Sequence, residues 1–347
     1  MLKLETHTRA ELPRGHPPIL TVVVDTEEEF DWSKPFSRGN VGVTSIAAQP
    51  LMHERVFDRH GVVPTYVVDW PVATTPSSVE VLKHLMQRGK CEIGTHLHPW
   101  VSPPYSEEVN AYNSYAGNLP RELEFEKIKR LTRAITDNFG CAPVVFKAGR
   151  YGVGPNTSAI LGELGYWVDA SVVPFTAMTS DGGPDFSRHG ADPFWFGDEG
   201  ERMLELPATA GYAGRLHAYG SSLYSKLQSP ALRKLRIPGI ASRLGLLERI
   251  KLSPEGSSLD EMRALTRCLV KNGTRFFGLT YHSPTVVPGY TAYTTTLEAR
   301  ERFIATLDAY LRFFSVEFGG IMSTHRALYE QLLGGLPPVS RTVCSAH

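Results

Sequence analysis

The sequence predicts an α/β fold in which parallel strands, most of them followed by a helix, form a single barrel. Short apolar runs rich in β-branched residues alternate with stretches of helical periodicity along most of the 347 residues. The run PILTVVVD at 18–25 lacks the polar–apolar alternation of a half-exposed strand, which is typical of parallel strands buried on both faces. A barrel of about 250 residues or more is the simplest single domain with this pattern. We therefore expect one domain over residues 1–347.

Seven strands are predicted, and helices separate most of them. The strands lie at 18–25, 62–69, 91–96, 142–150, 166–173, 202–209 and 275–283. The helices lie at 49–61, 77–90, 123–140, 156–165 and 299–317. Gly61 is a typical residue at the end of a helix, and Ser77 is a typical N-cap. Helical connections between parallel strands favour right-handed crossovers.

Residues 213–272 interrupt this alternation. The segment is rich in Lys, Arg, Ser and Leu and has a helical character. We interpret it as a helical insertion within the single domain that covers one face of the barrel.

Composition excludes several classes of function. Lys and Arg together number 36, as do Asp and Glu, so the formal net charge is zero. A neutral chain has no general positive field for nucleic acid and no polybasic membrane anchor. The first 18 residues lack the apolar core of a signal peptide, and no stretch approaches the roughly 18 apolar residues that span a bilayer. We expect a cytoplasmic protein without stable membrane insertion. No feature of the sequence indicates an oligomeric state.

The cysteines predict neither disulfides nor a thiolate metal site. Four are present, and no two form a CxxC pair. They are Cys91, Cys141, Cys268 and Cys344. Reduced thiols are expected.

Reactive polar residues follow five of the predicted strands. They are Asp25, Glu27, His96, His98, Arg150, Asp169 and His282. In barrels of parallel strands, active sites lie at the carboxyl ends of the strands. The coincidence of these positions therefore predicts a catalytic site at that end.

The pair His96–Leu97–His98 predicts a metal site. In an extended segment, residues two apart point to the same side, so both imidazoles can reach one ion. Two histidines and one carboxylate form a common catalytic zinc set that leaves a position for water. The alternative is a pair of surface histidines in a proline-rich loop. An acidic cluster on another strand end favours the metal site.

That cluster lies in TVVVDTEEEFDW, where five acidic residues fall within seven positions. Crowded carboxylates repel one another unless a cation lies among them. If Asp25 and Glu27 face the site, one can bind the metal while the other accepts a proton from water. Glu28, Glu29 and Asp31 are then supporting or solvated groups. A solvated acidic turn is the alternative for the whole cluster.

The remaining strand-end residues allow supporting roles. Arg150 can hold a catalytic carboxylate in its ionised form, or form a surface salt bridge. Asp169 can orient His282 and raise its pKa, or cap a strand end. The tryptophans are core residues or walls on which a sugar stacks. They are Trp32, Trp100, Trp167 and Trp195.

The order of these motifs resembles that of the polysaccharide deacetylases of the NodB-homology type, carbohydrate esterase family 4. The motifs are the acidic cluster, the His pair, Arg-Tyr, Asp-x-Ser and a strand-end His, and they cover residues from about 19 to 325 apart from 213–272. The resemblance implies a distorted (β/α)7 barrel and removal of N- or O-acetyl groups from sugars with a divalent metal, zinc being expected.

The resemblance also implies roles for single residues. The family's usual TFDD motif reads VVDTE here, so Asp25 matches the base, and Glu27 takes the ligand place that Thr26 cannot fill. The usual H-S/T-x-x-H motif is shortened to HLH, which implies His96 and His98 as ligands.

The later motifs add the other catalytic groups. RYG stands for the usual RxPY, so Arg150 would brace Asp25 and the backbone N–H of Tyr151 would help to hold the oxyanion. Asp169 and Ser171 match the fourth motif, and His282 in YHS matches the general acid, which Asp169 would keep charged. Trp100 is expected to contact the substrate.

The expected partner is thus a carbohydrate, and the expected activity is deacetylation. Two alternatives remain open. One is an amidohydrolase on the same barrel that acts on a small amide or a cyclic ureide. The other is a catalytically inactive carbohydrate-binding protein, which the shortened His motif and Thr26 permit.

Overall fold

The computed structural model describes residues 7–13, 15–197, 202–227, 229, 232, 234 and 236–334. Cys344 lies outside them. The main feature of the structure is a mixed sheet of ten strands, beside a smaller sheet of two strands. No described helix combines the length and apolar character that crossing a bilayer requires.

The strands lie close to the predicted positions. In chain order they are β1 Thr8–Arg9, β2 Ile19–Thr26, β3 Thr65–Val68, β4 Glu92–Leu97, β5 Val145–Ala148, β6 Val168–Asp169, β7 Phe194–Phe196, β8 Met203–Glu205, β9 Ala210–Ala213, β10 Glu248–Lys251, β11 Phe276–His282 and β12 Ile321–Met322. All seven predicted strands are present, as β2, β3, β4, β5, β6, β8 and β11. The short strands β1, β7, β9, β10 and β12 were not predicted.

These seven strands are parallel neighbours in the order β8-β6-β5-β4-β3-β2-β11. Antiparallel β7 and β1 extend the β8 edge, and β12 pairs with the first residues of β2. The predicted α/β barrel of parallel strands is therefore confirmed. All eight residues of β2 are buried, as its unbroken apolar run predicts.

The two ends of the parallel part of the sheet, β8 and β11, are connected by hydrogen bonds at Thr209 and not by a strand ladder. Just after β8, Thr209 donates its backbone N–H to the carbonyl of Gly278 at 2.9 Å, and its hydroxyl accepts from the Gly278 N–H at 2.8 Å. A Cβ on Gly278 would lie 2.7 Å from the carbonyl oxygen of Pro207. Glycine is therefore needed for this close approach.

The helices whose bounds the described residues define cover the outside of the sheet. They are α1 Gln49–Met52, α2 Asp58–His60, α3 Trp70–Thr74, α4 Pro76–Gln87, α5 Arg121–Phe139, α6 Thr157–Glu163, α7 Gly220–Leu227, α8 Ile237–Arg243, α9 Leu259–Lys271, α10 Leu297–Phe318 and α11 His325–Leu333. A π-helical turn, His53–Phe57, joins α1 to α2. The five predicted helical stretches are all present, and α3 and α11 were not predicted.

Among the described residues, positions 213–272 contain the helices α7, α8 and α9, as the helical character of the segment predicts. They also contain β10, which pairs antiparallel with β9 from Lys251↔Ala210 to Glu248↔Ala213. A capping box of Ser258 and Glu261 begins α9. The segment thus has both helices and a strand, and the interpretation as an insertion stays a prediction.

Successive side chains along each strand point alternately to the inner and the outer face of the sheet. Ile19, Val23, Val67 and Val145 belong to a small cluster inside the barrel. Leu20, Val22 and Val24 belong to the larger core between the sheet and the helices. Residues in phase with Val23 therefore face the barrel interior, and Asp25 is the last of them in β2.

Candidate functional site

A cavity of about 460 Å³ opens at the carboxyl ends of the strands. Its lining includes Asp25, Glu27, His96, His98 and His282, from three different strand ends. Six of the seven strand-end residues that the sequence singled out, all but Asp169, line this cavity, and they include all three predicted metal ligands.

Glu27, His96 and His98 converge on one point. The Nε2 atoms of both histidines lie 3.4 Å from Oε2 of Glu27, and all three residues are buried. One ligand atom from each lies within 4.8 Å of the others. Two imidazole nitrogens and a carboxylate oxygen form a donor set that suits a divalent cation such as zinc.

Hydrogen bonds through Nδ1 orient both rings so that each Nε2 atom faces Glu27. His96 donates its Nδ1–H to the carbonyl of Lys147 at 2.9 Å, and His98 donates its Nδ1–H to Oε2 of Glu28 at 2.7 Å. The buried Nε2 of His98 has no hydrogen-bond partner. Burial lowers the pKa of His98, which keeps the ring neutral. A neutral imidazole with a free, buried lone pair fits a metal ligand.

Glu28 fixes the plane of the His98 ring. Its other oxygen, Oε1, accepts from the indole N–H of Trp100 at 2.8 Å, and the indole stacks on His98 with ring centroids 4.3 Å apart. Burial, aided by the charge of Glu27, raises the pKa of Glu28 to about 7. The backbone N–H of Glu28 donates to Asp69 at 2.7 Å, and Asp69 also caps α3. One acidic residue next to a candidate ligand therefore has a supporting role.

Gly149 leaves room for the His98 ring. A Cβ at this position would lie 2.2 Å from Cδ2 of His98 and 2.5 Å from the carbonyl oxygen of Leu97. Any other residue would displace the imidazole or the backbone at the end of β5.

The acidic cluster is divided among three environments. Asp25, Glu27 and Glu28 are buried at the site. Glu29 accepts from the hydroxyl of Thr44 at 2.8 Å and from the N–H of Ser45 at 2.6 Å. The exposed Asp31 accepts from Ser33 and lies 3.3 Å from Lys34. The run therefore joins a buried site to a solvated turn.

The cation that faces Asp25 is Lys147, which corrects the expectation for Arg150. The Lys147 ammonium donates to the two Asp25 oxygens at 2.5 and 2.7 Å and to the Thr280 hydroxyl at 2.9 Å. Burial alone would raise the pKa of Asp25, but Lys147, His96 and His282 outweigh it and lower the pKa. Asp25 is therefore ionised.

Arg150 instead lines the cavity further out. It donates to Asp181 and to the hydroxyl of Ser114, both at 2.5 Å, and lies over the Tyr115 ring at 4.0 Å. Arg150 and Tyr151 have φ values of +54° and +59°. Two successive side chains in the left-handed region turn the chain sharply after β5, which carries Arg150 away from Asp25.

The carboxylate that faces His282 is Glu255, which corrects the expectation for Asp169. Oε2 of Glu255 accepts from Nδ1 of His282 at 2.7 Å, and Oε1 accepts from the His282 backbone N–H at 2.9 Å. The other ring nitrogen lies 3.8 Å from Asp25. Burial would lower the pKa of His282, but Glu255, Glu27 and Asp25 outweigh it and raise it to about 9.

Asp169 is buried on the opposite face of the sheet. It pairs in register with Phe146 and Glu205, one residue out of phase with Lys147. Its carboxylate accepts from the hydroxyl and N–H of Ser171, whose hydroxyl in turn accepts from the N–H of Ala148. Asp169 therefore supports the backbone at the end of β5.

Trp100 lies beneath the site, so the expectation that it contacts substrate is not met. Only 1% of its surface is exposed, and it packs against His98. The cavity wall is formed by other aromatic residues, among them Trp32 and Tyr293, which are 51% and 50% exposed. Tyr151 also lines the cavity, and its hydroxyl accepts from the ammonium group of Lys251.

Sequence reasoning missed Lys147, Lys251 and Glu255. Lys147 left a signal, because a lysine within the apolar strand VVFKA needs a buried partner. Glu255 lies in the turn SPEG, where nothing local distinguishes it from a solvated acid. Lys251 lies in a segment that was expected to be helical, where its strand neighbours could not be inferred.

Comparison with solved structures shows what the chain is similar to. A candidate polysaccharide deacetylase from Mycobacterium smegmatis is 16% identical over 96% of this chain and 97% of its own, with a TM-score of 0.53. PuuE allantoinase is 14% identical over 95% of both chains, with a TM-score of 0.54. A candidate polysaccharide deacetylase from Pseudomonas aeruginosa PAO1 is 15% identical over 92% of both chains, with a TM-score of 0.51. No protein-family profile and no curated protein matches the chain.

These likenesses extend over nearly the whole chain, so they concern the complete fold. The protein has the distorted NodB-type barrel that the motif order implied. Proteins of different activity share this fold, and the reaction must therefore be argued from the site.

Proposed function

We propose that this protein is a metal-dependent hydrolase that removes an acetyl group, N- or O-linked, from a sugar or a polysaccharide precursor. One observation carries the proposal. The Nε2 atoms of His96 and His98 lie 3.4 Å from Glu27 in a cavity where Asp25 and His282 face each other at 3.8 Å. The names of two structural neighbours, both candidate polysaccharide deacetylases, support the choice of reaction.

Glu27, His96 and His98 would hold the cation, zinc being the expected ion for two imidazoles and a carboxylate. When bound, it supplies a Lewis acid that polarises a carbonyl and makes water more acidic. The buried hydrogen bonds of His96 and His98 keep the ligand atoms in place before binding. Little reorganisation is then needed.

Asp25 is the base. Lys147 binds both of its oxygens and keeps it ionised and oriented, and Oδ2, the oxygen 3.8 Å from His282, would accept a proton from the attacking water. The low pKa of Asp25 makes it a weak base, so proton transfer depends on a water that is already acidic.

His282 is the acid. Glu255 binds its Nδ1–H and keeps the ring protonated, so Nε2–H faces the cavity and can donate to the leaving amine or alkoxide. Proton acceptance and donation thus take place within one cavity, and the products are acetate and the deacetylated sugar. The predicted roles of Arg150, Asp169 and Trp100 are not part of this proposal.

Metal content and acetate release together test the proposal. We expect elemental analysis to find about one divalent ion per wild-type chain, and none in the variant His96→Ala/His98→Ala. Asp25→Asn should keep the ion and lose at least about 100-fold in the rate of acetate release from an acetylated amino sugar. Metal retention in Asp25→Asn also shows that this variant folds.

Two results would contradict the proposal. A wild-type chain that takes up no zinc, cobalt or nickel would remove its basis and favour an inactive carbohydrate-binding protein. Equal metal loss in Asp25→Asn and the histidine variant would mean that Asp25 is a ligand and not a separate base.

The size of the cavity also admits one alternative substrate class. A volume of about 460 Å³ holds one sugar ring or a small cyclic amide. PuuE allantoinase, with the same fold, is named for activity on such a small molecule. Parallel assays with allantoin and with an acetylated amino sugar distinguish the two, because each product is measured separately.

A further inference from the structure

Strand β10 presents two cations on one side. Arg249 and Lys251 are two residues apart in an extended segment, so both point to the same side. Ile250 between them is 4% exposed and packs in the main core, which places the cations on the other side. That side faces the candidate site, because Lys251 lines its cavity.

Neither cation has an acidic partner among the described residues. The Lys251 ammonium donates to the Tyr151 hydroxyl. Arg249 donates to the carbonyl of Pro174 at 3.0 Å and to the Thr176 hydroxyl, and its buried Nε has no partner.

The neighbouring cations are all neutralised. Lys147 is paired with Asp25, Arg150 with Asp181 and His282 with Glu255, each at 2.7 Å or less. The described part of the cavity wall therefore has one ammonium group, that of Lys251, without a carboxylate within 4.0 Å.

Holding these two cations together costs free energy. Burial lowers the pKa of both Lys251 and Arg249, and the charge of Arg249 lowers that of Lys251 further. Two half-buried cations without an acidic partner destabilise a fold unless a ligand supplies the missing charge. Asp25 and Glu255 are near enough to raise the pKa of Lys251 but are already bound to Lys147 and His282.

We propose that Lys251, with Arg249 behind it, binds an anionic substituent of the substrate, so that the sugar acted on bears a carboxylate or a phosphate group. The inference rests on the proposed function, because it concerns the substrate class of the same cavity. The exposed faces of Trp32 and Tyr293 in the cavity wall would contact the sugar ring, and the anionic group would reach Lys251.

Calorimetry with deacetylated amino sugars tests this inference without requiring catalysis. The probes are glucosamine, glucosamine 6-phosphate and 2-amino-2-deoxyglucuronic acid. We expect wild-type protein to bind at least one anionic probe about tenfold more tightly than glucosamine. Which anionic probe binds more tightly distinguishes phosphate from carboxylate.

The variant Lys251→Met should lose this preference, and Lys251→Arg should retain most of it. Lys271→Met is the matched control, because it removes the same charge from an exposed position on α9. It should bind all three probes as wild type does. Far-ultraviolet circular dichroism checks that each variant is folded.

Three outcomes would overturn the inference. They are equal binding of neutral and anionic probes by wild type, no binding of any probe, and an anion preference that survives in Lys251→Met. The last would mean that the anion binds elsewhere, for example at the metal site. If the preference follows Lys251 but no acetylated sugar is hydrolysed, the proposed function fails and the anion site stands.

Discussion

Lys147 and Arg150 are three residues apart, yet only Lys147 reaches Asp25. Lys147 lies within β5, in register with His96, and points to the barrel interior. Arg150 follows the strand, where its φ of +54° has already turned the chain outward. Proximity in sequence therefore did not identify the cation that binds Asp25. Strand alternation and one backbone turn determine which of the two side chains reaches it.

The same reasoning applies to the acid. His282 lies directly opposite Asp25 on the neighbouring parallel strand, so their side chains share the interior face. Asp169 lies opposite Phe146, and its side chain points to the outer face. A turn after β10 brings Glu255 to His282 instead.

We predict that Glu255→Gln shifts the alkaline limit of activity to lower pH. The acid must be protonated, and its pKa of about 9 is raised above the usual value partly by Glu255, so activity in wild type should fall as pH rises through about 9. Without that negative charge, the fall should begin about one pH unit lower. A pH–rate profile of acetate release measures the shift.

Asp169→Asn is the matched control, because it makes the same carboxylate-to-amide change at the residue that the sequence favoured. Its alkaline limit should remain that of wild type. A shift in Asp169→Asn and none in Glu255→Gln would contradict the structural assignment of the partner of His282.

At the scale of elements, the candidate site depends on the junction between β8 and β11. Thr209 connects three segments there, since its carbonyl also accepts from the N–H of Leu252 at 2.8 Å. Leu252 follows Lys251 and precedes the turn with Glu255. The junction thus fixes the segment that supplies the partner of His282 and the ammonium group in the cavity.

We predict that Thr209→Val lowers the free energy of unfolding by about 1–3 kcal/mol. Valine has nearly the same shape, but it leaves the buried N–H of Gly278 without its acceptor. Urea unfolding followed by circular dichroism measures the change.

Thr74→Val provides the comparison. The Thr74 hydroxyl donates to the carbonyl of Trp70 at 2.7 Å but is exposed, so water can replace it. Its unfolding free energy should stay within about 0.5 kcal/mol of the wild-type value. Equal losses in the two variants would mean that Thr209 has no special role in closing the barrel.

At the scale of the whole molecule, the net charge is zero, but acidic groups are buried together in the interior. Besides the candidate site, the sheet contains a second pair of buried acids, Asp169 and Glu205, which lie opposite each other on β6 and β8. Burial raises the pKa of Asp169 to about 7 and raises that of Glu205 well above its usual range, aided by the charge of Asp169. At least one of the two therefore carries a proton at neutral pH.

This pair should make stability depend on pH. Its folded-state pKa values exceed the unfolded ones, so its contribution is fully present below about pH 4 and is lost as pH rises through about 7 and beyond. We predict that Glu205→Gln, which cannot ionise, loses less unfolding free energy between pH 5 and pH 8 than wild type. Urea unfolding at the two pH values measures both losses.

The exposed Glu11 offers a control in the same part of the molecule. Glu11→Gln makes the same carboxyl-to-amide change and should show the pH dependence of wild type. If Glu205→Gln and wild type lose the same free energy between pH 5 and pH 8, the pair is not the source of the dependence.

The sequence by itself determined the barrel and the position of its site. Apolar runs and helical spacing are local properties, so the seven parallel strands could be predicted, and with them the convergence of Asp25, Glu27, His96, His98 and His282. His96 and His98 are two residues apart at a strand end, and that spacing alone places both on one side.

Only the tertiary structure decided which charges meet. Lys147 reaches Asp25 across 122 positions of chain, and Glu255 reaches His282 across 27. These contacts depend on strand register, on the face to which each side chain points and on the backbone turn at Arg150 and Tyr151. The physical reason is that a charge is neutralised by whichever partner the packed backbone brings within hydrogen-bonding distance. That distance in space cannot be calculated from the number of residues between the two partners.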